Sequence, residues 1–219
     1  MKEFNWREVL SANLEIVMAR QFACAEFVVK DRNWDLNLGR GVISFGNDEY
    51  PVQFLGGESD STGTWLWGWE NVNNFPEHVV VLANKIKEIG EELNAEPLTT
   101  AEIDLDDDFN GHNFSTVSVA LSNEKVCYYS CPHGGGAVFV VFSDVPEEVF
   151  APVDLHTFIK VTMQCIQGFD VDHKVFVEGF LTQNGTKFEW QESAIIAKFE
   201  SNLRIDFNEK FLITGVKSL

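Results

Sequence analysis

The sequence is poor in basic residues. Lysine and arginine together number 16 against 34 aspartates and glutamates, so the formal net charge is −18. A surface of this sign repels phosphate groups, which argues against nucleic acid and anionic membranes as partners. A basic protein partner or a metal cation is compatible with this charge, and high solubility is the simplest interpretation of it.

The sequence also lacks long apolar runs and a regular cysteine pattern. No apolar run reaches the about 18 residues of a membrane-spanning helix, and the charged residues 1–6 stand where a signal peptide has an apolar segment. We therefore expect a cytoplasmic protein with free thiols, since disulfides persist mainly in oxidising compartments. The four cysteines are Cys24, Cys127, Cys131 and Cys165.

No linker rich in proline, glycine or serine divides the 219 residues. The chain is therefore predicted to form one compact unit over residues 1–219, with two docked α+β halves, 1–97 and 98–219, as the alternative. Apolar residues make up 45% of the sequence, which is enough for a sizeable core.

Helical periodicity is visible in several segments. Apolar residues at helical spacing predict a helix over residues 5–29, and Pro76 opens a second helix that continues to Leu93. Asp154 is predicted to cap a third helix that Gly168 ends. The period alone leaves residues 114–121 open between strand and helix.

Alternation with period two predicts two antiparallel meanders, one within residues 34–69 and one within residues 175–216. In the second meander, residues 175–182 and 186–190 are predicted to form a hairpin, because Asn184-Gly185 is a strong hairpin-turn signal. The predicted fold class is α+β, with antiparallel meanders packed against about four helices.

Three tryptophans, Trp65, Trp67 and Trp69, follow one another at every second position. This spacing predicts that they share one face of a strand, and burial beneath helices is the favoured interpretation. The alternative is a recognition surface, because aromatic faces stack on sugars or cations and paired carboxylates hydrolyse glycosides. The carboxylates near the ends of this strand are Glu58, Asp60 and Glu70.

Two stretches of sequence carry a family resemblance. The first runs from Tyr50-Pro51-Val52-Gln53-Phe54-Leu55-Gly56-Gly57-Glu58-Ser59 to Gly63-Thr64-Trp65-Leu66-Trp67-Gly68-Trp69. The second comprises Gly111-His112, Tyr128-Tyr129 and Gly134-Gly135-Gly136-Ala137. Over residues 25–145 the chain resembles an uncharacterised bacterial family catalogued only as a domain of unknown function. The resemblance implies one domain-scale unit and a helix at residues 114–121, and it implies no activity.

Three motifs resemble known chemical sites without completing them. Residues 106–111 match the start of a calcium loop, but the twelfth position is Val117 instead of glutamate. Cys127, Cys131 and His133 fall short of the four ligands of a structural zinc site. The run of residues 133–136 resembles an oxyanion-hole motif of esterases, but the chain has no G-x-S-x-G nucleophile motif. We therefore expect no metal and no cofactor.

The sequence favours a noncatalytic binding protein that engages a basic protein partner through its acidic surface, as inhibitors and immunity proteins do. The alternative is a small-ligand binder or hydrolase with a pocket near the strand of Trp65–Trp69. No catalytic residue is assigned. The residues expected to line a ligand site are Trp34, Tyr50, Glu58, Asp60, Glu70 and His112, with His112 also interpreted as a helix cap.

Overall fold

The structure, a computed structural model, describes residues 4–219. These residues fall into two compact units, residues 4–6 with 21–150 and residues 7–20 with 151–219. The predicted organisation as one compact unit, or as two docked halves that divide at residue 97, stays a prediction. No helix in the described range is both long and apolar enough to cross a membrane.

The predicted α+β class is confirmed. Within residues 4–219 there are six α-helices instead of about four, because residues 173–183 form a helix in place of a predicted strand and the short helix Glu96–Thr99 lies where no element is predicted. A π-helical turn, Ala25–Val29, extends the first helix, and the helix implied by the family resemblance at residues 114–121 is present. The helices are α1 (Trp6–Cys24), α2 (Val81–Leu93), α3 (Glu96–Thr99), α4 (Gly111–Ser122), α5 (Leu155–Gly168) and α6 (His173–Gln183).

An antiparallel seven-stranded sheet forms the centre of the first unit. Its long strand β3 pairs with β2 and β4 on one side and with β7 on the other, and it carries a bulge at Leu55. Strands β1, β5 and β6 complete the sheet by pairing with β2, β4 and β7. The strands are β1 (Trp34–Asn37), β2 (Val42–Phe45), β3 (Asp48–Ser59), β4 (Thr64–Trp67), β5 (Glu102–Asp104), β6 (Cys127–His133) and β7 (Gly136–Phe142).

The prediction for the tryptophans is confirmed for two of the three. Trp65 and Trp67 lie on one face of β4 with 0% and 1% exposure, and both rings contact Phe114 of α4. The placement of Trp69 on that strand face is wrong, because β4 ends at Trp67 and a 3-10 turn, Gly68–Glu70, follows. A side chain at Gly68 would collide with the Leu55 carbonyl oxygen at 2.8 Å, so the chain turns where only glycine fits.

The second unit contains an antiparallel four-stranded sheet in the order β11-β10-β9-β8. Its apolar face carries Leu203, Ile205 and Phe207, which are buried, and the rings of Phe158 in α5 and Phe180 in α6 lie with centroids 4.8 Å apart. Asp154 caps α5 as predicted, accepting a hydrogen bond from Thr157 N at 2.7 Å. The strands are β8 (Lys187–Gln191), β9 (Ala194–Lys198), β10 (Asn202–Phe207) and β11 (Ile213–Ser218).

The hairpin predicted for residues 175–182 and 186–190 is wrong. Residues 173–183 form α6, which Asp172 caps by accepting a hydrogen bond from Val175 N at 3.0 Å. The buried residues of α6 recur at helical spacing, so its inner face packs as a helix. These residues are Phe176, Val177, Phe180 and Leu181.

The four cysteine thiols are free and buried. Cys24, Cys127 and Cys131 belong to one apolar cluster of the first unit. Burial raises the pKa of Cys131 to about 12 and that of Cys165 to about 12, so the reactive thiolate is scarce in both.

We expect the native protein to react slowly with a thiol reagent at pH 8, because a thiol must be accessible and ionised to react. In denaturant without reductant all four thiols should react promptly. Titration with a chromogenic disulfide reagent measures both states. Two or fewer reactive thiols in the denatured, unreduced protein would contradict the free-thiol assignment.

Candidate functional site

Glu58, one of the predicted site residues, stabilises the start of α4. Its Oε1 accepts a hydrogen bond from Gly111 N at 2.6 Å, and the carboxylate complements the positive end of the helix dipole. A side chain at Gly111 would lie 2.3 Å from the ring of Phe139, so glycine is required for this close approach. Asn110 caps the same helix through Asn113 N.

His112, the next residue, is brought close to Glu58 and to Tyr128. Its Nδ1 lies 3.4 Å from the Tyr128 hydroxyl, and its ring meets Phe139 edge-on with centroids 5.2 Å apart. Desolvation lowers the pKa of His112, although the charge of Glu58 opposes this shift. Burial raises the pKa of Tyr128 to about 12. Both shifts favour the neutral forms, so the pair makes a contact between neutral groups.

Trp34 and Tyr50 lie in an aromatic cluster of the first unit. The Trp34 ring meets Tyr129 with centroids 6.1 Å apart, and Tyr50 meets Phe142 at 5.8 Å. Both side chains are half-buried against the apolar core. Their ring contacts account for their placement as packing residues, and their role at a pocket mouth stays a prediction.

Asp60 and Glu70 are exposed at two separate turns. Asp60 N donates to Gly135 O at 3.1 Å, which ties the loop after β3 to the turn between β6 and β7. Glu70 ends the 3-10 turn that follows β4. The structure therefore places two of the six predicted residues, Glu58 and His112, close enough for the charge of Glu58 to act on the pKa of His112.

The acidic loop that resembles a calcium site uses its oxygens within the loop. Asp106 Oδ1 accepts hydrogen bonds from Asp108 N at 2.8 Å and from Phe109 N at 2.6 Å. Asn110 is the cap of α4. The loop therefore has the geometry of an acidic turn that leads into a helix, and within residues 4–219 no three potential metal ligands converge.

The segment from Cys127 to Gly136 forms β6 and its turn to β7. Cys127 and Cys131 face the apolar core, whereas His133 is exposed. Gly135 N donates to His133 Nδ1 at 3.2 Å. This arrangement makes His133 the start of a glycine turn, apart from the two buried thiols.

A groove lies on the face of the first sheet opposite Trp65 and Trp67. We call it the open-face groove, and its volume is about 240 Å³. Its walls are half-buried apolar side chains with polar groups at both ends. The lining residues used below are Phe54, Gly57, Leu66, Val72, Glu102, His133 and Val138.

Strand β5 is the edge of the sheet beside this groove. Trp67 N donates to Ala101 O at 3.0 Å, and Leu105 N donates to Gly63 O at 2.8 Å. In an antiparallel ladder bonded and non-bonded residues alternate. The backbone N–H and C=O groups of Glu102 and Asp104 therefore point away from β4, on the side where no strand within residues 4–219 pairs with β5. We call these four groups the β5 edge.

A second hollow of about 270 Å³ adjoins the β5 edge. We call it the edge hollow. Its lining combines apolar surface with the acidic residues Glu96 and Glu102. Glu102 therefore lines both the edge hollow and the open-face groove. The other lining residues of the edge hollow are Pro97, Thr100, Ile103 and Phe109.

The stretch of chain that contains β5 carries charge of one sign. Residues 88–108 contain nine carboxylates and no lysine or arginine, and all nine are exposed. Of the lysines that precede this stretch, Lys85 pairs with Glu124 at 2.7 Å and Lys87 lies over the ring of Trp69. The nine are Glu88, Glu91, Glu92, Glu96, Glu102, Asp104, Asp106, Asp107 and Asp108.

Glu102, Ile103 and Asp104 are not among the site residues predicted from the sequence. The alternation of charged, apolar and charged residues is the signal that was available. Three residues are too few for a strand prediction from periodicity alone.

The sequence was compared with known families, curated proteins and solved structures. Residues 7–145 match a family described as a family of unknown function (DUF6882). This match confirms the resemblance to a domain of unknown function. No curated protein and no solved structure matches the chain.

Proposed function

Because the chain belongs to DUF6882, a family of unknown function, we propose a function from the geometry alone: the protein is a noncatalytic binding protein that holds an extended, basic segment of a partner protein along the β5 edge. The observation that carries this proposal is the outward direction of the Glu102 and Asp104 backbone groups. An extended peptide adds to such an edge through main-chain hydrogen bonds.

Side-chain space on both sides of β5 supports the proposal. Successive side chains of an added strand point to opposite faces of the sheet. The open-face groove and the edge hollow both adjoin Glu102, so they offer space to alternate side chains of one peptide.

The charge of this region supports a basic partner. The nine exposed carboxylates of residues 88–108 attract lysine and arginine side chains and accelerate their encounter with the edge. The partner is therefore expected to carry lysine or arginine within an extended segment, and its binding should weaken as salt concentration rises.

The test uses a fluorescein-labelled hexapeptide of alternating lysine and valine, measured by fluorescence anisotropy at low salt. We expect binding. Methylation of alternate backbone amides should raise Kd about tenfold, because each lost hydrogen bond costs about 0.5–1.5 kcal/mol and the charge is unchanged.

A protein variant provides the matching test. Asp104→Lys should raise Kd for the unmodified peptide about tenfold, since it reverses a charge beside the edge. The control is Glu209→Lys, the same reversal at an exposed residue of the second unit, and it should change Kd less than about twofold. Equal binding of the methylated and unmethylated peptides would refute strand addition.

A further inference from the structure

We propose that the open-face groove is a binding site for a small organic cation with an apolar body. The groove also offers space to side chains of the proposed peptide, but cation binding here does not depend on strand addition, because the floor is formed by side chains on the face of the sheet instead of by the backbone of an edge.

The floor of the groove is apolar and shallowly recessed. Gly57 lies opposite Leu66 on one side and opposite Val138 on the other. Because Gly57 has no side chain, the two half-buried neighbours flank an open strip. The half-buried ring of Phe54, held edge-on against Phe75 at 5.3 Å, continues this strip.

The rim is a fixed turn. Asn71 Nδ2 donates to Phe75 O at 3.0 Å, and Phe75 N donates to Asn71 Oδ1 at 2.8 Å. Val72 stands on this turn with 63% exposure. A volume of about 240 Å³ is smaller than the about 300–1,000 Å³ of sites for drug-sized ligands, so the groove fits a small molecule.

One carboxylate is oriented into the groove. Glu102 Oε1 accepts a hydrogen bond from the Thr64 hydroxyl at 2.8 Å. Within residues 4–219 no side chain donates to Oε2 of Glu102, which leaves that oxygen for a ligand. Glu58 also lines the groove, but its carboxylate accepts the Gly111 N–H. The residues of the described chain that line the groove include no lysine or arginine, so a cation is favoured over an anion.

His133 provides a second polar group. Gly135 N donates to its Nδ1, so the hydrogen of the neutral ring is on Nε2. His133 therefore offers a donor to a ligand, whereas Glu102 offers an acceptor. In a ligand that carries an ammonium group on a short aliphatic chain, the ammonium group donates to Glu102 and the chain covers the apolar floor.

The experiment titrates the protein with hexylammonium by isothermal calorimetry, and with hexanoate, hexanol and methylammonium for comparison. Hexylammonium should bind more than about tenfold tighter than each of the others, because hexanoate and hexanol lack the positive charge and methylammonium lacks the chain. If methylammonium binds as tightly as hexylammonium, the attraction comes from the overall negative charge of the protein and the proposal is overturned.

Two variants and one control locate the site. Glu102→Gln and Leu66→Thr should each weaken hexylammonium binding about tenfold, the first by removing the charge and the second by shortening the apolar floor. Glu148→Gln, at an exposed carboxylate of the first unit that lines neither the groove nor the edge hollow, should change it less than about twofold. Unchanged affinity in both test variants, with folding verified by circular dichroism, overturns the proposal. Methylation of the peptide backbone tests strand addition and has no bearing on hexylammonium, so the two proposals fail separately.

Discussion

Replacing Trp67 by alanine is expected to lower the free energy of unfolding by about 3–5 kcal/mol, the usual cost of truncating a large buried aromatic residue. The Trp67 ring is 1% exposed and packs against Trp65 and Phe114, with centroids 5.3 Å and 5.1 Å away. Its Nε1 donates to Pro97 O at 3.0 Å. The substitution therefore opens a cavity and leaves a carbonyl without its donor.

The matched control is Trp69→Ala. Trp69 is half-buried in the 3-10 turn after β4 and contacts Lys87 Nζ through its ring face at 4.0 Å. Its removal should cost about 1–2 kcal/mol. Chemical denaturation monitored by circular dichroism measures both losses. Equal stability of Trp67→Ala and the parent protein would show that Trp67 does not belong to the core.

The second large effect concerns Glu15, a carboxyl group buried in the second unit. Glu15 is 1% exposed, and desolvation raises its pKa well above 4.5. Its Oε1 lies 2.5 Å from Thr162 Oγ1, and its Oε2 has no partner in the described chain. The Thr162 hydroxyl also donates to Phe158 O at 2.8 Å. The Thr162 hydroxyl has one hydrogen. When that hydrogen is donated to Phe158 O, the hydrogen bond between Glu15 and Thr162 must be donated by a protonated Glu15.

Because the pKa of Glu15 is raised in the folded state, its contribution to stability is complete below the unfolded pKa and is lost as pH rises towards the folded pKa. Glu15→Gln keeps the shape of the side chain and removes this titration. The variant should therefore gain stability relative to the parent as pH rises above about 5, with a limiting slope of about 1.4 kcal/mol per pH unit between the two pKa values.

Urea denaturation of both proteins at several pH values measures this difference. Taking the difference removes the effect of the overall net charge, which both proteins share apart from residue 15. Glu209→Gln, at an exposed position of the second unit, is the control and should show no such trend. A stability difference that does not change between pH 4 and pH 8 would mean that Glu15 ionises normally.

The error at α6 shows how tertiary contacts override a local signal. Asn184-Gly185 suggested a hairpin, but Asn184 N donates to Phe180 O at 2.8 Å and the pair ends a helix instead. Gly179 lies so close to Ala12 of α1 that a side chain there would be 2.2 Å from its carbonyl oxygen. Ala12 lies 167 positions earlier in the chain. The residues around Asn184 therefore do not indicate this packing, and it cannot be predicted from them alone.

Strands and helices with a long, regular pattern were predictable. The alternation of residues 34–55 and the capping Asp154 correspond to the observed β1–β3 and α5, because local patterning and packing agree there. Trp65 and Trp67 were predictable for the same reason. The turn at Gly68 was not, since it depends on the approach of the β3 backbone.

Most of the candidate site could not be predicted from the sequence. The pairing of Glu102 with Leu66 across β4 and β5 joins residues 36 positions apart, and the open-face groove also needs β7. The sequence predicts Glu58 as a site carboxylate near the strand of Trp65 and Trp67, but its hydrogen bond to Gly111 N depends on the position of α4. The acidic character of the region is visible in the sequence. The unpaired edge of β5 can be identified only from the hydrogen bonds between β4 and β5.

The most direct test of the proposed binding edge is residue-resolved amide hydrogen exchange at Glu102, Ile103 and Asp104. In the free protein the outward amides of Glu102 and Asp104 should exchange fast, and the Ile103 amide, which faces β4, should be protected. Saturation with the lysine–valine peptide should slow Glu102 and Asp104 at least about tenfold, since each amide gains a hydrogen bond. Saturating binding that leaves both amides as fast as before would contradict the account.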